Sequence, residues 1–130
     1  MNSDKVLKQH ELSEGLVAKV HDCSSHYFGG YYHVRMQVTA DVPLLPEYFA
    51  SESEFEDAVK SIGPTVCFSR ILERMAVPGI EQDTVRYQLL DTFEANLLPY
   101  MRRPDFGRSF VASEYGKALK RKANVQTRWA

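Results

Sequence analysis

The chain has 130 residues, 44% hydrophobic and 25% charged, with a formal net charge of −1. That length suits one domain able to bury an ordinary core without disulfide or metal staples. The near-neutral balance excludes a protein whose whole surface is built for nucleic acid, and no apolar run approaches the length of a membrane span.

The start, Met1-Asn2-Ser3-Asp4-Lys5-Val6, lacks the apolar core and small-residue cleavage site of a secretory signal, so the expected location is cytoplasmic. Two cysteines, Cys23 and Cys67, are too few and too far apart for a disulfide framework, and reduced thiols are expected. A single bridge between them stays open, since the two can lie on neighbouring strands. Charge is uneven: residues 1–60 hold five basic and ten acidic side chains, and residues 61–130 hold eleven and seven. Such halves can attract each other within one fold or between subunits, or one can form a binding surface.

Val6 to Leu12 reads as a strand, closed by Ser13-Glu14-Gly15, where Gly15 supplies the positive φ of a short turn. Leu16 to Cys23 alternates with period two, placing Leu16, Ala18 and Val20 on one face and Val17, Lys19, His21 and Cys23 on the other. A knot of turn and aromatic residues follows, Ser24-Ser25-His26-Tyr27-Phe28-Gly29-Gly30. From Tyr31 the alternation resumes in the longest strand, with Tyr32, Val34, Met36, Val38, Ala40 and Val42 against Tyr31, His33, Arg35, Gln37, Thr39 and Asp41. One apolar and one polar face mark an antiparallel sheet. Pro43 and Pro46 lack the ladder donor and end the strand.

Ser51 to Ile62 predicts a helix. Ser51 with Glu54, or Ser53 with Glu56, forms a capping box, acidic residues crowd the positive end, and Phe55, Ala58, Val59 and Ile62 make one stripe. Gly63-Pro64 stops it. Thr65 to Val77 fits a strand by its Thr-Val-Cys-Phe start, although Cys67, Ile71 and Met75 also recur every four residues, as on a helix. Glu81 to about Leu98 predicts a second helix through Val85, Leu89, Phe93 and Leu97, with a kink or break at Pro99. Phe106, Phe110, Ala118 and Leu119 fit a last helix to about Lys122, with Ser109 to Tyr115 open to a short strand. The tail from Ala123 lacks periodicity and is expected to fray. The order β-β-β-α-β-α-α predicts a single α+β domain, an antiparallel sheet of about four strands with helices packed on one face.

A hairpin centred near Tyr27 sets His21 opposite His33 and Cys23 opposite Tyr31, all away from the core. Two imidazoles and a thiolate on one surface are a donor set for zinc or a similar metal, although their spacing matches no established motif. The same register opposes Lys19 and Arg35, which argues against it. Cysteine catalysis finds little support: Cys67 lies in an apolar run and reads as core, and Asp22 opposes a Cys23 thiolate. The carboxylates Glu52, Glu54, Glu56 and Asp57 are accounted for by capping. Gly29-Gly30 lacks the rest of a phosphate loop. No catalytic motif is present and no cofactor is implied.

Two signals point to partners. The aromatics Tyr27, Phe28 and Tyr31 exceed what a turn needs, and with His33 and Arg35 they form a candidate binding surface. Arg102, Arg103, Arg108, Lys120, Arg121 and Lys122, interleaved with Tyr100, Phe106 and Tyr115, could hold phosphates and stack bases. The first signal predicts a non-enzymatic protein- or ligand-binding module whose partner is self or another protein, including a homo-oligomer. A nucleic-acid-binding protein is the second expectation. A metal protein or enzyme on the His21/Cys23/His33 face is the third.

Overall fold

A computed structural model describes residues 5–129, with side chains over residues 6–124. The fold is α+β. Its strands are β1 (Lys5–Glu11), β2 (Val17–Asp22), β3 (Ser25–Phe28), β4 (Tyr31–Pro43) and β5 (Thr65–Pro78). Helix α1 (Glu52–Ile62) precedes β5, and α2 (Gln82–Thr92), α3 (Leu98–Met101) and α4 (Phe106–Trp129) follow it. By chain contacts these elements form two compact units. One comprises the chain up to Ala40 together with Phe68–Arg103; the other comprises Asp41–Cys67 and the chain from Pro104.

In the first unit β2 and β3 both pair antiparallel with β4, β1 pairs with β2, and β5 pairs with the other side of β4. Lys19 lies opposite Thr39, His21 opposite Gln37, and Ser25 opposite His33. These pairs share one register, so β2 and β3 are a single hairpin arm interrupted at Cys23-Ser24. There the Cys23 N–H donates to the Arg35 carbonyl at 2.8 Å. The Arg35 N–H in turn donates to Ser24 Oγ at 3.0 Å, a hydroxyl standing where a ladder carbonyl would be.

The aromatic knot is therefore largely strand, and this is where the sheet gains a fifth strand over the four expected. Only Gly29-Gly30 turns, with Gly29 at φ +55°, a conformation open to glycine without strain. The turn sits beyond Tyr27, so the expected facing of His21 with His33 does not occur. Lys19 and Arg35 are also apart, which relieves the like-charge clash that had counted against that register.

One face of this sheet is the core. Ala18, Val20, Val34, Met36, Val38 and Ala40 are buried, as are Phe68 and the largely enclosed His10. Each buried Val contributes on the order of 1.5–3 kcal/mol. Helix α2 and the turn after it lie over this face: His10 meets the Phe93 ring edge-on at 5.5 Å, and Arg86 Nε of α2 is 3.2 Å from Asp22 Oδ2. Strand β5 settles the ambiguous Thr65–Val77 stretch in favour of a strand. Val66 and Phe68 are buried and Cys67 between them faces out, so Cys67 is exposed rather than a core residue. Its placement follows from period two. No disulfide joins Cys23 and Cys67, so the bridge left open by the sequence does not form.

The regular α-helix is interrupted just before Pro99. A π-helical turn, Phe93–Leu97, joins α2 to α3, and the Leu98 N–H reaches the Phe93 carbonyl five residues back. The inserted residue rotates the stripe. Leu89 and Phe93 are buried as expected, but the next buried positions are Leu98 and Met101, not Leu97. Pro99 then falls in the first turn of α3, directly after the π turn.

In the second unit Ser51 caps α1 by accepting the Glu54 N–H at 3.1 Å, and Glu54 reaches back to the Ala50 N–H at 3.4 Å, close to the expected capping box. Gly63, at φ +86°, closes the helix with its N–H on the Val59 carbonyl. Helix α4 is continuous through Trp129, past the expected stop near Lys122 and through the Ser109–Tyr115 stretch. It packs on α1, with Phe49 between Phe55 at 5.8 Å and Tyr115 at 5.9 Å.

The Tyr115 hydroxyl donates to Asp57 Oδ2 at 2.5 Å, and this bond pushes the phenol up to about 12. Because the folded value lies above the unfolded one, near 10, the stabilisation is complete below about pH 10 and lost as pH rises through about 12. In a tyrosine titration followed by NMR, Tyr115 should still be protonated after an unperturbed tyrosine has ionised. Asp57→Asn should bring it back towards the ordinary value; an unchanged titration would refute the assignment.

Among the described residues no helix is long and apolar enough to cross a membrane.

Candidate functional site

Side-chain and backbone contacts brace the turn of the hairpin tip. His26 Nε2 contacts the Gly29 carbonyl at 2.5 Å and its ring meets Tyr32 edge-on at 5.3 Å. The Gly79 N–H donates to the Gly30 carbonyl at 3.0 Å, tying the turn after β5 to the tip. A Cβ on Gly79 would come within 3.2 Å of Tyr32 Cε2, so this approach needs glycine or a shift of that ring. Around this fixed frame Phe28 is 75% exposed, Tyr27 54% and Tyr31 48%. Ile80, next to the stapled Gly79, is 94% exposed. Four large apolar side chains in water on a braced tip are more than scattered surface apolarity.

The face of the sheet opposite α2 begins at this tip. The β4 residues Tyr31, His33, Arg35, Gln37 and Thr39 point to it, as do Lys19 and His21 from β2 and Cys23 just after it, because residues paired across an antiparallel ladder share a face. Its polar groups answer one another. His21 Nε2 lies 2.9 Å from Thr39 Oγ1, and the Gln37 amide donates to Ser69 Oγ at 2.9 Å. Glu73 stands 3.5 Å from His33 Nε2 and 3.8 Å from Arg35 Nε, ion-pair separations rather than hydrogen bonds. Glu73 therefore sits between the His33 ring and the Arg35 guanidinium.

Of the expected binding residues the structure brings Tyr27, Phe28 and Tyr31 together at the hairpin tip, with His33 two positions further along β4 and Arg35 four. It separates the expected metal donors. His21 pairs with Gln37 and His33 with Ser25, four positions apart along β4, or roughly 13 Å at the rise of a strand. Among the described residues no group of three His, Cys, Asp or Glu side chains is placed to hold a metal ion.

The basic segment is divided: Arg102 and Arg103 belong to the first unit, and Arg108, Lys120, Arg121 and Lys122 to the second. Several of these side chains are engaged locally. Arg102 Nε donates to the Glu11 carbonyl at 3.1 Å, Arg108 lies over the Tyr48 ring at 5.6 Å, and Lys122 Nζ donates to Ser61 Oγ at 3.0 Å. Lys120 and Arg121 are exposed on α4.

A cluster missed in the sequence joins β1 to the π turn. Glu94 Oε2 accepts from Lys8 Nζ at 2.5 Å and from His10 Nε2 at 2.7 Å. These hydrogen bonds, from Lys8 first and His10 second, hold the Glu94 carboxyl below its usual range. An ionised carboxylate only accepts, so His10 Nε2 carries the hydrogen, and Nδ1 is buried without a hydrogen-bond partner among the described residues. The sequence signal was faint: Lys8 and His10 share a strand face, but nothing in the chain says which helix residue will cover it.

Comparison with protein-family models, with curated proteins and with solved structures finds no match for this chain.

Proposed function

We propose that this chain is a non-enzymatic protein-interaction module that grips its partner with the hairpin tip. The observation that carries the reading is the braced group of exposed rings, Tyr27, Phe28 and Tyr31, beside the almost wholly exposed Ile80. The His26 and Gly79 contacts hold the backbone of the turn that presents these rings, so less backbone freedom is lost on binding, and aromatic anchors in a desolvated centre supply most of an interface's affinity. His33 and Arg35 follow the rings along β4 and form the polar rim, with the Glu73 carboxylate beside them. The partner is a second protein offering apolar pockets to the rings. The two unbridged thiols support a reducing, cytoplasmic setting for the encounter.

The test is site-specific photocrosslinking in cells with the reactive side chain placed at Phe28, compared with the same side chain at exposed Asp91 on α2. A discrete protein adduct at position 28 and not at 91, identified by mass, is the expected result. Binding of that purified partner should then weaken about thirtyfold or more when Phe28 and Tyr31 are both changed to alanine, as loss of interface anchors implies. Thermal stability should not move. Equal adducts at both positions, no adduct at position 28, or unaltered binding by the double variant would each overturn the proposal.

A further inference from the structure

The first unit has a second unassigned surface, the outer edge of β5. Among the described residues β5 pairs only with β4. From Ser69 to Met75 the strand has no proline, its charges Arg70, Glu73 and Arg74 leave every backbone donor in place, and Ala76, at φ +54°, breaks the ladder only beyond it. Which groups point outward follows from alternation. Arg35 turns its N–H and C=O towards the β2/β3 arm, while the Leu44 N–H reaches the Pro64 carbonyl on the β5 side. Even-numbered positions of β4 thus face β5. Their partners share the core face with Val66 and Phe68, so the even positions of β5 bond inward. Ser69, Ile71 and Glu73 are left with backbone donors and acceptors directed away from the sheet.

Beside this edge runs a groove of ≈ 260 Å³ between Arg70, Ile71 and Leu72 of β5 and Thr92, Phe93, Asn96 and Leu97 of the π turn. The π turn opens it, because the extra residue takes Leu97 out of the core stripe and sets it in the groove wall. Thr92 and Asn96 donate to carbonyls of their own helix, at 2.9 and 3.1 Å, which leaves the lining mainly apolar. The volume exceeds the roughly 150 Å³ that accepts a benzene ring in an engineered cavity. Arg70 and Arg74 flank Leu72 on the groove side of the strand. Arg70 rests over the Phe68 ring at 5.4 Å, and among the described residues neither arginine has a carboxylate partner.

We propose that this edge takes an extended segment of a partner protein as an added strand. The segment places a bulky apolar side chain in the groove and, two residues to either side, an acidic side chain against Arg70 and Arg74. Main-chain bonds to Ser69, Ile71 and Glu73 supply affinity, and the alternate side chains supply selectivity. The acidic-x-apolar-x-acidic pattern follows from the period of a strand and the charges already in place. This site is separate from the hairpin tip.

The test is binding of a capped, fluorescently labelled peptide centred on Asp-Thr-Leu-Thr-Glu to the full-length chain, followed by anisotropy and by amide NMR. Saturable binding should perturb Ser69, Ile71 and Glu73 together with Thr92–Leu97. It should fall about tenfold or more when the peptide leucine becomes alanine, as loss of a buried apolar side chain implies. Ile71→Pro removes an outward donor that the fold does not use, and should abolish binding with little change in thermal stability. Arg70→Glu combined with Arg74→Glu, both on exposed side chains, should invert the preference towards a lysine-flanked peptide. Phe28→Ala should leave peptide binding unchanged. The proposal is overturned if binding is absent, if the perturbed amides lie elsewhere, or if the charge-reversed chain still prefers the acidic peptide. It is equally overturned if the chain sediments as a dimer that Ile71→Pro converts to monomer, for then the edge belongs to a second copy.

Discussion

Replacing Phe93 with alanine should lower the free energy of unfolding by about 3–5 kcal/mol, a loss typical of a large ring removed from a packed interior. Phe93 is fully buried, walls one side of His10, and opens the π turn by accepting the Leu98 N–H. Against a total stability of about 5–15 kcal/mol, that loss would leave the chain marginal. Urea unfolding checks it through a lower midpoint at an unchanged slope. The same experiment tests the rotated stripe. Leu98 is 4% exposed while Leu97 is part-exposed in the groove wall, so Leu98→Ala should be clearly more destabilising than Leu97→Ala. An uninterrupted α-helix through this region would give the reverse order.

That reversal shows where sequence reasoning reached and where it stopped. Period-two alternation placed Val34, Met36, Val38, Ala40 and Val42 in the core, because each strand position needs only its neighbours to choose a face. Capping chemistry placed α1 for the same local reason. A spacing of four placed Leu89 and Phe93, but it could not foresee one inserted residue, since a π turn is set by how Pro99 and the sheet below share the helix. The hairpin failed in the same way. Strand faces were legible, yet the register depended on which residues turn. Gly29-Gly30 alone makes the turn, and the aromatic residues before it lengthen β3. The opposed charges of Lys19 and Arg35 were the one sequence signal that spoke against the expected pairing, and it pointed the right way.

The candidate site was legible to the same extent. Tyr27, Phe28 and Tyr31 drew attention as surplus aromatics in a turn, and they are the exposed rings of the tip. What the sequence lacked was the brace, because Gly79 and Gly30 lie far apart in the chain and meet only when β5 runs beside β4. Exposure of Cys67 was missed because an apolar neighbourhood in sequence is not one in space: Val66 and Phe68 turn inward and carry the thiol outward. The edge of β5 and its groove carry no motif at all. They exist because a long strand outlasts its cover and a helix widens beside it.

Removal of the Glu94 carboxylate gives the second large effect, and one that depends on pH. Glu94→Ala leaves the His10 Nε2–H inside the first unit with nothing to accept it. A buried donor stranded in this way costs about 1–3 kcal/mol at neutral pH. In the native chain the carboxyl is held below its ordinary value of 4.5 by hydrogen bonds from Lys8 and then His10. A depressed folded-state value means the carboxylate stabilises the fold above the unfolded value, and that stabilisation drains away as pH falls through the folded one. The gap between native chain and variant should therefore be widest near neutrality and should close as the solution is acidified below pH 4.5. Lys8→Met separates the two partners. Lys8 is about half exposed, so its ion pair is worth at most about 1 kcal/mol, and losing it should cost less than losing Glu94. Unfolding free energies measured across the acid range decide the matter: a gap that stays constant would mean that Glu94 acts by packing alone, and a larger loss for Lys8→Met would mean that His10 is not the group the carboxylate serves.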